Sequence, residues 1–152
     1  MLRLSRKTYL ALEAVIDIAY NARPEPVQAK EITNRQGVPQ RYLEQVMQQL
    51  VRAGILKGVR GPRGGYRLAR ERRRISFGDV VRVAMSLDTP EETYDGGSDL
   101  GRHVLMPLIA SLQDEVMAKL DQISIEDICQ RARGAGLDCG DKAAGATADF
   151  AI

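Results

Sequence analysis

The run Arg60-Gly-Pro-Arg-Gly-Gly-Tyr-Arg-Leu-Ala-Arg70 constrains this chain more than any other part of it. Gly61, Pro62, Gly64 and Gly65 lie between two short segments fit for strands, Ile55 to Val59 and Tyr66 to Ala69. Proline presets one backbone angle and glycine admits positive φ, so the run predicts a tight hairpin. Arg60, Arg63, Arg67 and Arg70 stud its tip and flanks, and no acid follows until Glu71. Guanidinium groups on a thin, rigid loop suit a phosphate backbone or a narrow minor groove. A basic surface hairpin with no ligand fits the same residues, so the segments before it decide.

Residues 5–20 place Tyr9, Leu12, Val15, Ile16 and Ala19 on one helical stripe. Arg23-Pro-Glu-Pro26 ends that helix. A short helix over about 28–35 turns Ala29 and Ile32 inward, and Gly37 breaks the pattern. A second helix over about 39–53 buries Leu43, Val46, Met47 and Leu50, and Gly54 ends it. Two helices about a glycine-containing turn, followed by a basic hairpin, predict a winged helix-turn-helix, a mainly α fold with a small β-hairpin. In that arrangement the second helix packs one face on the core and offers the other to the major groove. The outward face carries Gln40, Arg41, Glu44, Gln45, Gln48 and Arg52. Glutamine pairs with adenine, arginine with guanine or phosphate, and glutamate accepts from cytosine. An amphipathic helix with a wet, glutamine-rich side is the plainer alternative, and the turn, the hairpin and the local charge weigh against it.

That charge is hidden in the whole-chain balance of +2. Residues 1–74 hold 16 Lys+Arg against 6 Asp+Glu, a net of +10, whereas residues 75–152 hold 6 against 14, a net of −8. One half suits a polyanion and the other a different task; RNA or an acidic membrane surface would satisfy the charge alone. The expected organisation is a DNA-binding domain at 1–74, then a linker helix, acidic loop and dimerisation helices at 75–132, and a disordered tail at 133–152. No apolar run is long enough to span a membrane, and the first residues lack the pattern of a secretory signal. The expected location is the cytoplasm. Two cysteines, Cys129 and Cys139, are too few for a disulfide framework.

In the acidic half, Ser76 and Asp79 form a capping pattern for a helix with Val80, Val83, Ala84 and Leu87 inward. Residues 88–101 are acidic and glycine-containing, and predict a loop. Leu105, Leu108, Leu112, Val116, Leu120 and Ile123 then step by threes and fours, with Pro107 in the first turn or at a kink. A long helix with such a seam wants a second copy of the chain, or packs on its own first helix. Ser124 and Asp127 cap a last helix ending near Ala132.

Tyr42-Leu-Glu-Gln45 and Val59-Arg-Gly-Pro-Arg-Gly-Gly-Tyr-Arg-Leu68, in this order and spacing, resemble the Rrf2 (Rrf-two) family of bacterial transcriptional regulators. The resemblance extends from residue 1 to about 132. It implies a homodimer crossed through its long helices, binding a palindromic operator in double-stranded DNA and usually repressing. It also implies base reading by Gln40, Arg41, Tyr42, Glu44 and Gln45, with the wing arginine at Arg60; the residues themselves add Gln48 and Arg63. Cluster-binding members carry three cysteines in the loop before the long helix, and the corresponding residues 88–102 contain none. A standard three-cysteine iron–sulfur cluster is therefore excluded, because thiolates chiefly hold such clusters. No cofactor is expected, the alternative being an atypical cluster held by acids, His103 and one remote cysteine. His103, near the family's cluster histidine, has no thiolate companions, and the remaining metal candidates are Asp95, Asp99 and His103 in a folded-back loop. Cys129 fits a small buried hydrophobe, and a disulfide with Cys139 is the redox alternative.

A protein-interaction module built on the winged helix is the second functional class. An enzyme is not expected: there is one histidine, no nucleophile context and no phosphate-cradling glycine loop. The effector, the operator sequence and the target genes leave no mark in the sequence.

Overall fold

The computed structural model describes residues 4–88 and 95–137. Helices α1 (Arg6–Tyr20), α2 (Ala29–Gln36) and α3 (Gln40–Arg52) are followed by the hairpin strands β1 (Leu56–Val59) and β2 (Gly65–Leu68). A 3-10 turn at Arg72–Arg74 leads into α4 (Phe77–Met85), and a π-helical turn at Gly101–Leu105 runs directly into α5 (Met106–Asp121). The last described helix is α6 (Ile125–Gly134), which extends beyond the expected end at Ala132 into the segment expected to be disordered. Cys139 and the rest of that tail, like Glu91 and Glu92 of the acidic loop, lie outside the described residues.

The core gathers around α1, which packs against α2, α3, α4, α6 and β2. The predicted stripe on α1 is corrected here. Thr8, Leu10, Ala11, Leu12, Ala14, Val15, Ile18 and Ala19 are buried, whereas Tyr9 is 54% exposed and Ile16 only half-buried. A helix covered by neighbours on several sides buries a broad arc, and its alanines let those neighbours approach closely. The phase of α3 agrees with the sequence: Leu43, Val46, Met47 and Leu50 are buried. Leu43, Met47 and Leu50 have no exposed surface, and each such side chain contributes about 1.5–3 kcal/mol by leaving water.

Ile75, Val80, Val81, Ala84, Ile125 and Cys129 belong to the same hydrophobic cluster as α1–α3. A division at residue 74 thus runs through one continuous core. The starts of α4 and α6 lie side by side. Phe77 N–H donates to Ile123 O at 2.7 Å and Ile125 N–H to Ile75 O at 2.9 Å. Both helices open with the capping box expected from Ser76/Asp79 and Ser124/Asp127. Each box satisfies the N-cap and N3 amides of its own helix, and the first amides, of Phe77 and Ile125, are satisfied across the two helix starts.

Along α5 the apolar seam divides. Val116, Leu120 and Ile123 are half-buried, with α4 against this helix. Leu105, Leu108, Ile109 and Leu112 are each 46–52% exposed. Pro107 follows the π-helical turn, where Met106 N–H donates five residues back to Gly101 O, so the proline stands where the regular i→i−4 ladder is interrupted.

Candidate nucleic-acid interface

The helix-turn-helix is locked by charge as well as by apolar packing. Gly37 ends α2 with φ of +67°, a left-handed conformation glycine adopts without a Cβ penalty. Arg35 reaches back from α2 to α1 and donates Nε and Nη2 to the two Asp17 oxygens, each at 2.7 Å. This contact raises the Arg35 pKa above its ordinary value, against an opposing burial effect. Arg23 donates to both Glu31 oxygens at 2.7 and 2.8 Å, and Gln28 N–H donates to Glu31 at 2.8 Å. Burial alone pushes the Glu31 carboxyl up, but these donors hold it below its ordinary value.

With successive residues about 100° apart around a helix, Gln40, Glu44 and Gln48 form one exposed row on α3. Arg41, Gln45 and Arg52 form a second exposed row beside it. Tyr42 is half-buried and lies at the margin of this face. Gln40 Nε2 donates to Glu44 Oε1 at 3.0 Å, a contact that the i, i+4 spacing permits but the sequence reading missed.

The wing is antiparallel, with Leu56 opposite Leu68 and Val59 opposite Gly65. Arg60 and Arg63 are exposed in the loop at its tip. Its glycines are set by close approach. A Cβ on Gly64 would lie 2.3 Å from Val59 O, and one on Gly65 would lie 2.4 Å from Val27 O. Val27, outside the predicted strands, pairs with Tyr66 through Val27 N–H to Tyr66 O at 3.0 Å and Tyr66 N–H to Val27 O at 2.8 Å. Arg67 also donates to Pro24 O. The hairpin is thus tied to the segment before α2. A one-residue bridge has no periodicity, and no signal in the sequence could have revealed it.

Among the described residues, Arg41, Arg60 and Arg63 have no ion-pair or hydrogen-bond partner within the protein. By contrast, Arg72 pairs with Glu126, and Arg82 grips Asp121 at 2.6 and 2.7 Å. Free guanidiniums stand on the reading face at Arg41 and on the wing tip at Arg60 and Arg63, while Arg23 and Arg35 brace the helix-turn-helix and Arg72 and Arg82 tie down α6 and α5. That arrangement leaves positive charge available to phosphate and base edges at one surface.

Among the described residues, no three His, Cys, Asp or Glu side chains group as a metal ion requires. Asp95 accepts from Gly97 N–H and Asp99 from Arg102, while His103 is exposed on the π-helical turn. Residues 88–128 contain no cysteine, and Cys129 lies in the core, where burial pushes its thiol up. These residues do not fit an iron–sulfur cluster. Among the described residues, no helix is long and apolar enough to cross a membrane.

The family profile described as "Rrf2: Iron-dependent Transcriptional regulator" matches residues 4–131. The HTH-type transcriptional regulator IscR of Escherichia coli O1:K1 / APEC is 33% identical over 129 residues, covering 84% of this chain and 80% of that protein. The solved structure of T. potens IscR superposes with a TM-score of 0.71 at 33% identity, covering 91% of this chain and 94% of the other. CymR (YrzC), the global cysteine regulator of B. subtilis, superposes with a TM-score of 0.66 at 30% identity, covering 86% and 98%. Sequence, winged-helix architecture and relatives agree: the chain belongs to the Rrf2 family of DNA-binding transcriptional regulators and is not an enzyme.

Proposed function

We propose that this chain is a homodimeric, sequence-specific repressor that acts in the cytoplasm on a palindromic operator, read by α3 and the wing without an iron–sulfur cluster. The observation that carries this reading is the exposed face of α3, with Gln40, Arg41, Glu44, Gln45 and Gln48, beside the unpaired Arg60 and Arg63 of the wing. Polar side chains with hydrogen-bonding edges specify bases, and free arginines fix register on phosphate. Tyr42 joins them from the margin of the helix.

Duality follows from the α5 seam. Its exposed Leu105, Leu108, Ile109 and Leu112 lie along one helix, and an apolar stripe of that kind marks an interaction surface. Beside it runs a groove of about 740 Å³ whose lining includes Leu4, Thr8, Val81, Met85 and Met117. A second α5 supplies both the shape and the hydrophobicity that this surface lacks, and a two-fold dimer presents two reading heads to two half-sites.

The test is a salt titration of colourless protein, purified without oxygen, against the DNA upstream of its own gene and against a scrambled duplex. The upstream duplex is expected to bind at least about a thousandfold more tightly. Its affinity should fall steeply with salt as counterions are released. Arg60→Ala should weaken both complexes and flatten the salt slope. Equal affinity for the two sequences would sink the proposal and leave the protein-interaction module.

A further inference from the structure

Glu44 is the one acid between Glu31 and Glu71, and it stands in the middle of the exposed face of α3. A carboxylate brought into a groove walled by phosphates is repelled unless a base edge offers it a donor. Such a group specifies sequence by penalising every pair that sets an acceptor or a methyl group where it needs the donor. Its discrimination depends on where its oxygens point, and a free glutamate side chain has several rotamers to lose. In this chain the choice is already narrowed. Gln40, one helical turn earlier, donates Nε2 to Glu44 Oε1 at 3.0 Å. Arg41 lies three residues before Glu44 but makes no ion pair with it. The carboxylate's charge also reaches across to the hairpin: burial first, and Glu44 second, push the Tyr66 phenol up. Glu44 is therefore tethered to its own helix through Oε1.

We propose that Gln40 is a positioning residue for Glu44, occupying Oε1 so that Oε2 meets a single base pair of the half-site and selects the N4 amine of cytosine. Cytosine offers N4 as a donor with no acceptor beside it on the same base, whereas adenine's N6 donor stands next to the N7 acceptor, which repels a second carboxylate oxygen, and guanine and thymine offer acceptors only. The inference rests on the DNA-reading function above. It gives Gln40 a task other than reading a base with its own amide.

The probe is the duplex that the wild-type protein selects from a randomised double-stranded pool, together with every single-base-pair variant of one half-site. Gln40→Met keeps the side chain's length and removes its donor, and is expected to reduce discrimination about fivefold at the base pair that Glu44→Ala relaxes. In the Glu44→Ala background, Gln40→Met should change nothing further at that pair. Gln40→Lys retains a donor towards Glu44 and should preserve the preference. Undiminished discrimination in Gln40→Met overturns the proposal. So does a loss at a different base pair that adds to the Glu44→Ala effect, because Gln40 would then read a base itself. If the wild-type protein selects no sequence, the DNA-reading function fails and the proposal with it, and the wild-type arm alone reveals that outcome.

Discussion

At the scale of single residues, the wing shows how backbone space decides identity. A methyl group at residue 65 would lie 2.4 Å from the Val27 carbonyl oxygen and 2.7 Å from its carbon. Both are backbone atoms, so neither can swing aside. Gly65→Ala must therefore push β2 away from Val27 and disturb the hydrogen-bonded pair that ties the hairpin to the body. The expected cost is about 1–3 kcal/mol in denaturant unfolding, as for an overpacked site, with weaker DNA binding because Arg60 and Arg63 are displaced together. Gly58, one strand away, has no atom within 4 Å of an added Cβ and no positive φ. Gly58→Ala is expected to be neutral, or to stabilise by up to about 1 kcal/mol through the unfolded chain. Equal destabilisation by the two variants would show that the contact with Val27 does not constrain the wing.

At the scale of elements, the capping boxes of α4 and α6 join local sequence to long-range order, because the two helix starts are also bridged to each other. Ser124→Ala removes the acceptor for Asp127 N–H at 3.1 Å and is expected to cost about 1 kcal/mol. The partner carboxylate adds a pH dependence. Asp127 is held below its ordinary value of 3.8 by the Ser124 N–H first and the Ser124 side chain next. A carboxylate with a depressed folded-state pKa adds stability that is fully present above the ordinary value and is lost as pH falls through the depressed one. Asp127→Asn should therefore melt below the wild-type protein at neutral pH, and the two melting curves should converge in acid. A gap that persisted undiminished into strong acid would place the effect elsewhere.

These boxes, like the buried face of α3 and the hairpin itself, were legible because each follows from residues a few positions apart. The burial of α1 was not, because five neighbouring elements decide it: they bury Thr8 and leave Tyr9 exposed. The pairing of Val27 with Tyr66 and the grip of Arg82 on Asp121 join residues 39 apart in the chain and have no local signal. In the reading face, the sequence placed the outward residues but not the hydrogen bond that couples two of them.

At the scale of the whole molecule, the basic and acidic halves share one core yet leave two different surfaces unsatisfied: free arginines at one, exposed leucines and isoleucine at the other. In the dimer we propose, the two are linked. A single helix-turn-helix covers one half-site, and two heads held at fixed spacing make binding of the second effectively intramolecular. In that dimer the α5 seam bears on operator affinity although it contacts no DNA. Leu112 is 47% exposed at the centre of this seam, beside the groove that a second copy would fill. Placing a carboxylate there would bury charge at the interface without a partner, which is far costlier than trimming the side chain. The expected result for Leu112→Asp is a sedimentation mass near the single-chain 16.8 kDa, against twice that value for the wild-type protein. Because Leu112 is not enclosed in the protomer, the melting transition of the variant should remain cooperative. Operator affinity should drop at least about a hundredfold as the second head is lost, while affinity for a single half-site stays unchanged. A wild-type protein that sediments as a monomer at micromolar concentration would separate the exposed seam from dimerisation and require another partner for it.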